Sequence, residues 1–324
     1  MEYTTLGDTG MTVSKICLGC MSFGDSDWRE WVLDEEEGKE IIERALELGV
    51  TFFDTANMYS NGESERVLGE ALEGRRDETV VATKGYHQMD DENPTSGGLS
   101  RKAIEQELER SRDRLGMDTI DLYQPHRWDY ETPIEETLAT LDDAVRRGDI
   151  RYIGASSMWA HQFAEALHTS DREGYERFAT MQNHYNLAYR EEEREMLPLC
   201  EKEGIGVMPW SPLARGYLTR PDEEIDATMR GETEEHMYRH PYREGGGAAV
   251  NERIEELAEE NGVKMAQIAL SWLFHNEWVD TPIVGTTSIE HLEDAVEALD
   301  IDLSQSDIEW LEEPYEPVRV SGHE

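Results

Sequence analysis

The chain has 324 residues, 38% of them apolar and 31% charged, and its 72 acids against 30 bases leave a net charge of −42. That length suits one barrel-sized domain, and the charge repels nucleic acid and anionic membranes. No run of eighteen apolar residues occurs, the N-terminus lacks a basic stretch followed by an apolar one, and three cysteines (Cys17, Cys20, Cys200) are too few for a disulfide framework, so a reducing cytoplasm is the expected setting.

A hairpin is expected from Tyr3 to Thr12, around Gly7 and Gly10. Eight short apolar strands follow: Ile16–Leu18, Thr51–Asp54, Thr79–Thr83, Ile120–Tyr123, Tyr152–Ala155, Ala179–Gln182, Gly206–Pro209 and Pro282–Val284. Amphipathic helices are predicted over Glu35–Leu48, Glu63–Leu72, Arg101–Leu115, Ile134–Arg146, Trp159–His168, Glu192–Glu203, Asn251–Glu260, Ala266–His275 and Glu290–Leu299. Gly49, Gly116, Gly148 and Gly204 stand where helix-ending glycines belong. Continuous apolar strands alternating with helices imply a parallel sheet covered on both faces, and eight such units in one domain imply a closed (β/α)8 TIM barrel spanning residues 1–324. The competing doubly wound fold would carry G-x-G-x-x-G after its first strand, and none occurs. The long stretch from Leu213 to Gly247 after the seventh strand reads as a loop or lid. The acids are spread along helices rather than gathered in a tail, so they should coat a folded body. Such a surface suits a halophile with a salt-rich cytoplasm, because the Debye length falls to about 3 Å at 1 M salt.

In this fold the strands' C-terminal ends form the active-site rim. The second strand closes on Asp54 and is followed by Tyr59, the third leads to Lys84, and the fourth to His126. Each has an ordinary reading alone: a cap, a charged strand end, a structural histidine. Together they suit carbonyl reduction, in which hydride addition leaves an alkoxide that must be protonated. A free tyrosine has a pKa of about 10, and a neighbouring ammonium favours its phenolate. Lys84 can supply that field, Asp54 can hold Lys84, and His126 can donate a hydrogen bond to the substrate oxygen. A metal-dependent barrel hydrolase would need His-x-His after an early strand, and none occurs, so no metal is expected. Cys17-x-x-Cys20 has no second pair to make a zinc site.

The segments Phe52-Phe53-Asp54-Thr55-Ala56-Asn57-Met58-Tyr59, Ala82-Thr83-Lys84 and Asp121-Leu122-Tyr123-Gln124-Pro125-His126 resemble three signatures of the aldo-keto reductase superfamily. Ile153 to Ser157, Met181 to Asn186 and Pro209 to Gly216 resemble it as well, most closely its aryl-alcohol dehydrogenase-like and potassium-channel β-subunit-like branch. The resemblance implies an NAD(P)H-dependent enzyme reducing small-molecule aldehydes or ketones, with Asp54, Tyr59, Lys84 and His126 as the catalytic tetrad. It also implies an extended nicotinamide cofactor, NADPH in preference to NADH. Gly19 and Met21 would approach it through backbone, alongside Asp54, and Ser156 and Gln182 would hold the carboxamide. Trp210 would stack on the ring, and Ser211, Leu213 and Gly216 would surround the pyrophosphate. Gly285, Thr286, Ser288, His291 and Asp294 fall in the adenosine segment, which lacks the Lys or Arg frequent in NADPH-specific members. Ser157 stands where Asn is common. A regulatory subunit that senses the cofactor, as channel β-subunits do, would share the tetrad. Phe23, Trp28, Trp31, Trp128, Tyr130 and Trp159 are the expected aromatic lining of the substrate pocket. Oligomeric state is not legible in the sequence.

Overall fold

The structure, a computed structural model, describes residues 1–90, 92–227 and 240–323. Strands β1 (Tyr3–Thr5) and β2 (Thr12–Ser14) pair antiparallel, Tyr3 opposite Ser14 and Thr5 opposite Thr12. The main sheet contains β3 (Cys17–Gly19), β4 (Phe52–Asp54), β5 (Val80–Gly85), β6 (Ile120–Pro125), β7 (Ile150–Ser156), β8 (Phe178–Gln182), β9 (Gly206–Val207) and β10 (Ile283–Gly285). They run parallel in the order β10-β3-β4-β5-β6-β7-β8-β9. The two edges meet where the Ile283 N–H donates to Pro209 O at 2.8 Å and the Asp280 N–H to Val207 O at 3.1 Å, which curls the sheet into a (β/α)8 barrel.

Side-chain alternation along the strands separates two cores. Cys17, Phe52, Ala82, Leu122, Met208 and Ile283 fill the interior, and Leu6, Met11 and Val13 of the hairpin join them as a plug. Their neighbours Leu18, Phe53, Val81, Tyr123, Ile153, Met181 and Val207 point outward, under the helices. Gly154 makes the interior possible: a Cβ there would sit 2.2 Å from Thr180 Oγ1 and 3.2 Å from Gln124 Cγ. Cys17 and Cys20 belong to different cores, and burial raises both thiols, so the pair is structural.

The covering helices are α1 (Glu35–Glu47), α2 (Glu63–Ala71), α3 (Arg101–Leu115), α4 (Ile134–Arg147), α5 (Ala160–Glu173), α6 (Met196–Glu203), α7 (Gly247–Asn261), α8 (Met265–His275), α9 (Ile289–Glu297) and α10 (Gln305–Glu312). Four depart from the sequence expectation, one of them because the helix expected from Asn251 already begins at Gly247. The helix expected over Glu192–Glu203 breaks at Glu195 (φ −142°) into a 3-10 turn, Glu191–Arg194, and α6. Pro198 offers no N–H to Arg194, so it fits only the first turn of a helix. The helix expected over Trp159–His168 continues to Glu173. Helix α10 went unforeseen although Ser304 and Asp307 announce it: Ser304 Oγ accepts from Asp307 N at 3.2 Å, and Asp307 Oδ2 accepts from Ser304 N at 3.0 Å. The Leu213–Gly247 stretch contains 3-10 turns at Ala214–Thr219 and Asp222–Ala227 and a short helix at His240–Arg243; residues 228–239 lie outside the described residues. Among the described residues no helix is long and apolar enough to cross a membrane.

Candidate active site

Parallel pairing in register delivers the site. Asp54 is the last residue of β4, Lys84 lies opposite Gln124 across β5 and β6, and Ser156 lies opposite Gln182 across β7 and β8. Asp54 (2% exposed) and Lys84 (0%) meet inside the rim, Nζ 2.5 Å from Oδ1, and Nζ also donates to Thr55 O at 2.7 Å. Asp54 Oδ2 accepts from Gln182 Nε2 at 2.9 Å and Gln124 Nε2 at 3.3 Å, so the buried carboxylate is bound on both oxygens. Tyr59 sits half-buried in the loop above, its ring centroid 5.1 Å from Lys84 Nζ. The His126 ring meets the Tyr59 ring edge-on at 5.9 Å. The four residues expected from strand ends therefore converge.

Charge at the site follows from burial and contact. Burial opposes the Lys84 ammonium, but the charge of Asp54 and its hydrogen bond outweigh it, and the Lys84 pKa is raised. Opposing effects act on Tyr59. Lys84 and Arg127 do pull its pKa down, but burial is the larger effect, and in the protein alone the phenol lies above its ordinary value. Burial, then Lys84, Arg127 and His87, hold His126 well below its ordinary pKa, so it is a neutral hydrogen-bond donor. Its Nδ1 is buried without a partner among the described residues, and since an unmet acceptor costs less than an unmet N–H, this favours the tautomer with the proton on Nε2. A pH dependence follows. A lowered histidine pKa removes any limb near 6.5, and a raised tyrosine pKa keeps the phenol protonated through the neutral range. Single-turnover reduction is expected to stay level from about pH 6 to 9 and to fall only where the phenol ionises. An acid limb near pH 6.5 that disappears in His126→Gln would contradict a neutral His126.

Of the residues expected at the cofactor, Gly19, Ser156, Gln182 and Gly285 end strands of the same sheet, whereas His291 and Asp294 lie on helix α9. Gly19 lies between Gly285 and Asp54 in the sheet, with half-buried Met21 just beyond. Ser156 is buried, its Oγ 3.4 Å from Ser157 Oγ. Ser157, at φ +48°, accepts from Trp210 Nε1 at 3.0 Å, so it ties the ring down. Trp210 has one face covered by His184, whose ring stacks at 4.1 Å and 10°, and His184 Nε2 lies 2.8 Å from Tyr242 OH. Ser211, Leu213 and Gly216 sit half-exposed in a loop with positive φ at Ser211, Ala214, Arg215 and Gly216. At the adenosine end the hydroxyls are already engaged: Thr286 Oγ1 donates to Ser288 O at 2.8 Å, and Ser288 Oγ caps α9 by accepting from His291 N at 3.2 Å. His291 is exposed, and Asp294 pairs with Lys264 at 2.8 Å. Lys264 also meets Glu290 at 2.6 Å, a cation that motif reading did not place here.

The aromatic lining is only partly as expected. Trp28 stands 6.5 Å from the Tyr59 ring, but Phe23 is fully buried beneath α1, where a Cβ on Gly38 would meet it at 3.0 Å. Trp31 is buried, Tyr130 is 63% exposed, and half-buried Trp128 packs against the outer core. Trp159 is edge-on to His323 at 4.7 Å, and Gly322 reaches the Trp210 ring, so the C-terminal tail borders the site; no motif signalled that. A buried network behind the site was also missed. Glu107 Oε2 accepts from Asn57 Nδ2 at 3.1 Å, and Glu65 accepts from Thr83 Oγ1 and Arg114 Nε, both at 2.6 Å. The signal was available: Glu107 stands on the apolar stripe Ile104, Leu108, Ser111, Leu115 of α3. Among the described residues no three His, Cys, Asp or Glu side chains converge as metal ligands.

A barrel rim that gathers a tyrosine, a buried lysine–aspartate pair and a histidine has the groups of an oxidoreductase site. The chain belongs to the aldo/keto reductase family, whose sequence model matches residues 15–316. It is 43% identical to a putative aryl-alcohol dehydrogenase of Schizosaccharomyces pombe, over 99% of this chain and 97% of that protein. It is 40% identical to an aldo-keto reductase of Metarhizium robertsii, over 100% of this chain and 93% of that one. A versiconal hemiacetal acetate reductase of Aspergillus parasiticus is 41% identical over 99% and 98%.

Proposed function

We propose that the enzyme reduces aldehydes or ketones with NADPH or NADH, Tyr59 donating the proton. The observation that carries this reading is the buried Lys84–Asp54 pair directly beneath the Tyr59 ring. The residues present fit a nicotinamide: a carboxamide needs both a donor and an acceptor, which Ser156 and Gln182 can provide, and Trp210 offers a flat ring anchored through Ser157. Ser211, Leu213 and Gly216 would hold the pyrophosphate, and Gly285, Thr286, Ser288, His291 and Asp294 the adenosine end. Bound there, the cofactor supplies the hydride to the carbonyl carbon. His126 Nε2–H donates to the carbonyl oxygen and favours the charge that develops on it. The Tyr59 O–H bond breaks as its proton passes to that oxygen, and Lys84 stabilises the phenolate left behind until solvent reprotonates it. Names of the similar proteins, reductases and dehydrogenases, favour turnover over a purely regulatory role. NADPH is the preferred cofactor on family resemblance, with Lys264 and Arg44 the bases that reach the adenosine segment, Lys264 at Glu290 and Asp294 and Arg44 at Glu293. Steady-state turnover of a panel of aldehydes and ketones with each cofactor in molar KCl tests the proposal; no turnover with either would sink it.

The same reading places the protein in a salt-rich cytoplasm. Acids outnumber bases so far that single bases are shared: Lys39 lies 2.5 Å from both Glu35 and Glu70, and Arg177 reaches Asp171 and Glu203. The remaining carboxylates repel over about 30 Å at 0.01 M salt and about 3 Å at 1 M. Helix content and activity are expected to fall below a few tenths molar KCl and to be preserved above it, and mild acid should partly substitute for salt. Circular dichroism across a KCl series checks this; a fold stable in dilute buffer would rule it out.

A further inference from the structure

Arg127 follows His126 directly, two residues beyond the C-terminal end of β6, and its positive charge is felt by Tyr59 and Tyr86. In a chain with 72 acids for 30 bases, a counter-ion is easy to supply. Among the described residues Arg127 nevertheless makes no ion pair, and its one hydrogen bond runs from Nη1 to the backbone oxygen of His126 at 2.6 Å. Asp129, two residues on, is engaged elsewhere: its carboxylate accepts from Leu99 N at 2.7 Å, Glu131 N at 2.9 Å and Thr132 Oγ1 at 2.7 Å. Arg127 is half-buried, and Arg215 adds like charge nearby. A desolvated cation without a counter-ion is costly, and such costs concentrate at functional sites. With Nη1 turned to His126 O, the parallel N–H groups of Nε and Nη2 form the edge that matches the two oxygens of a carboxylate.

We propose that Arg127 is a specificity residue that binds a carboxylate on the substrate, so that the preferred substrates are carbonyl compounds that also carry a carboxylate. This rests on the carbonyl-reductase reading of the site. The reacting oxygen belongs between Tyr59 and His126, whose rings lie 5.9 Å apart, and Arg127 is the next residue in the chain. The protein's own charge of −42 opposes such a substrate at low salt. At about 1 M KCl that long-range field is screened and a contact pair persists.

The test compares kcat/KM for 3- and 4-formylbenzoate with that for their methyl esters, in about 1 M KCl. It uses the wild type, Arg127→Leu and Arg127→Lys, with cofactor affinity followed by fluorescence quenching and folding by Tm. The wild type is expected to favour at least one acid over its ester by about tenfold to a hundredfold, mainly through KM. Arg127→Leu should abolish that ratio, and Arg127→Lys should keep part of it as a point charge. Competitive inhibition of the wild type by benzoate is expected and does not depend on either variant folding. Equal rates for acid and ester in the wild type would overturn the proposal. So would a preference that survives in Arg127→Leu. Weakened cofactor binding with the preference intact would assign the guanidinium to the cofactor's phosphates, and a lowered Tm with the preference intact would assign it to a structural partner; each overturns it. Reduction of the esters without acid preference defeats only this inference, whereas no carbonyl turnover defeats the reductase reading itself.

Discussion

Replacing Tyr59 by Phe is expected to lower the rate of carbonyl reduction by about a hundredfold to ten-thousandfold, the usual contribution of a positioned general acid. The substitution removes one oxygen from a half-buried ring and keeps its packing against His126 and Trp28. Cofactor binding should therefore survive, because the phenol supplies a proton and the proposed carboxamide contacts come from Ser156 and Gln182. Single-turnover rates together with fluorescence quenching separate the two effects. Turnover within a few-fold of wild type would remove Tyr59 from the mechanism.

Lys84→Met is expected to abolish reduction and also to destabilise the fold. The ammonium is fully buried, and its removal leaves the buried Asp54 carboxyl without its cation, with Gln124 and Gln182 as its remaining side-chain donors among the described residues. Breaking a buried pair from one side costs about 3–5 kcal/mol. Tyr59 also loses the charge that lowers its pKa most. Asp54→Asn in the same chain should recover most of the stability, because the uncompensated charge is gone, and none of the activity. Denaturant unfolding of the two single variants and the double variant measures the first statement, and the pH profile of residual turnover the second. Additive stability losses in the double variant, or an unshifted profile, would contradict the assigned roles.

Much of this was written locally. A strand is short, apolar and bounded by turns, so eight of them could be ordered without coordinates, and Asp54, Lys84 and His126 were legible because a parallel barrel puts every strand's C-terminal end on one rim. Boundaries slipped where function sits. β5 runs to Gly85 and β6 to Pro125, beyond the apolar run, because pairing with neighbours carries the strand into its polar end. The break before α6 is signalled by Pro198 and α10 by Ser304 and Asp307, so both are encoded locally.

Other features had no local signal. The burial of Phe23 beneath α1, the approach of Gly322 and His323 to Trp210 and Trp159, and the sandwich of His184 against Trp210 join residues far apart in the chain or set by packing. The ionisation of Tyr59 shows the difference most directly. The residue types dictate that Lys84 favours the phenolate, but the sign of the net shift depends on how much water the folded rim removes from the phenol. The sequence by itself determined which strands form, in what order, and which chemical groups end them. Only the tertiary structure decided which of those groups are desolvated, which are paired, and that Arg127 is left without a counter-ion among the described residues, because burial and pairing are sums over neighbours from many segments.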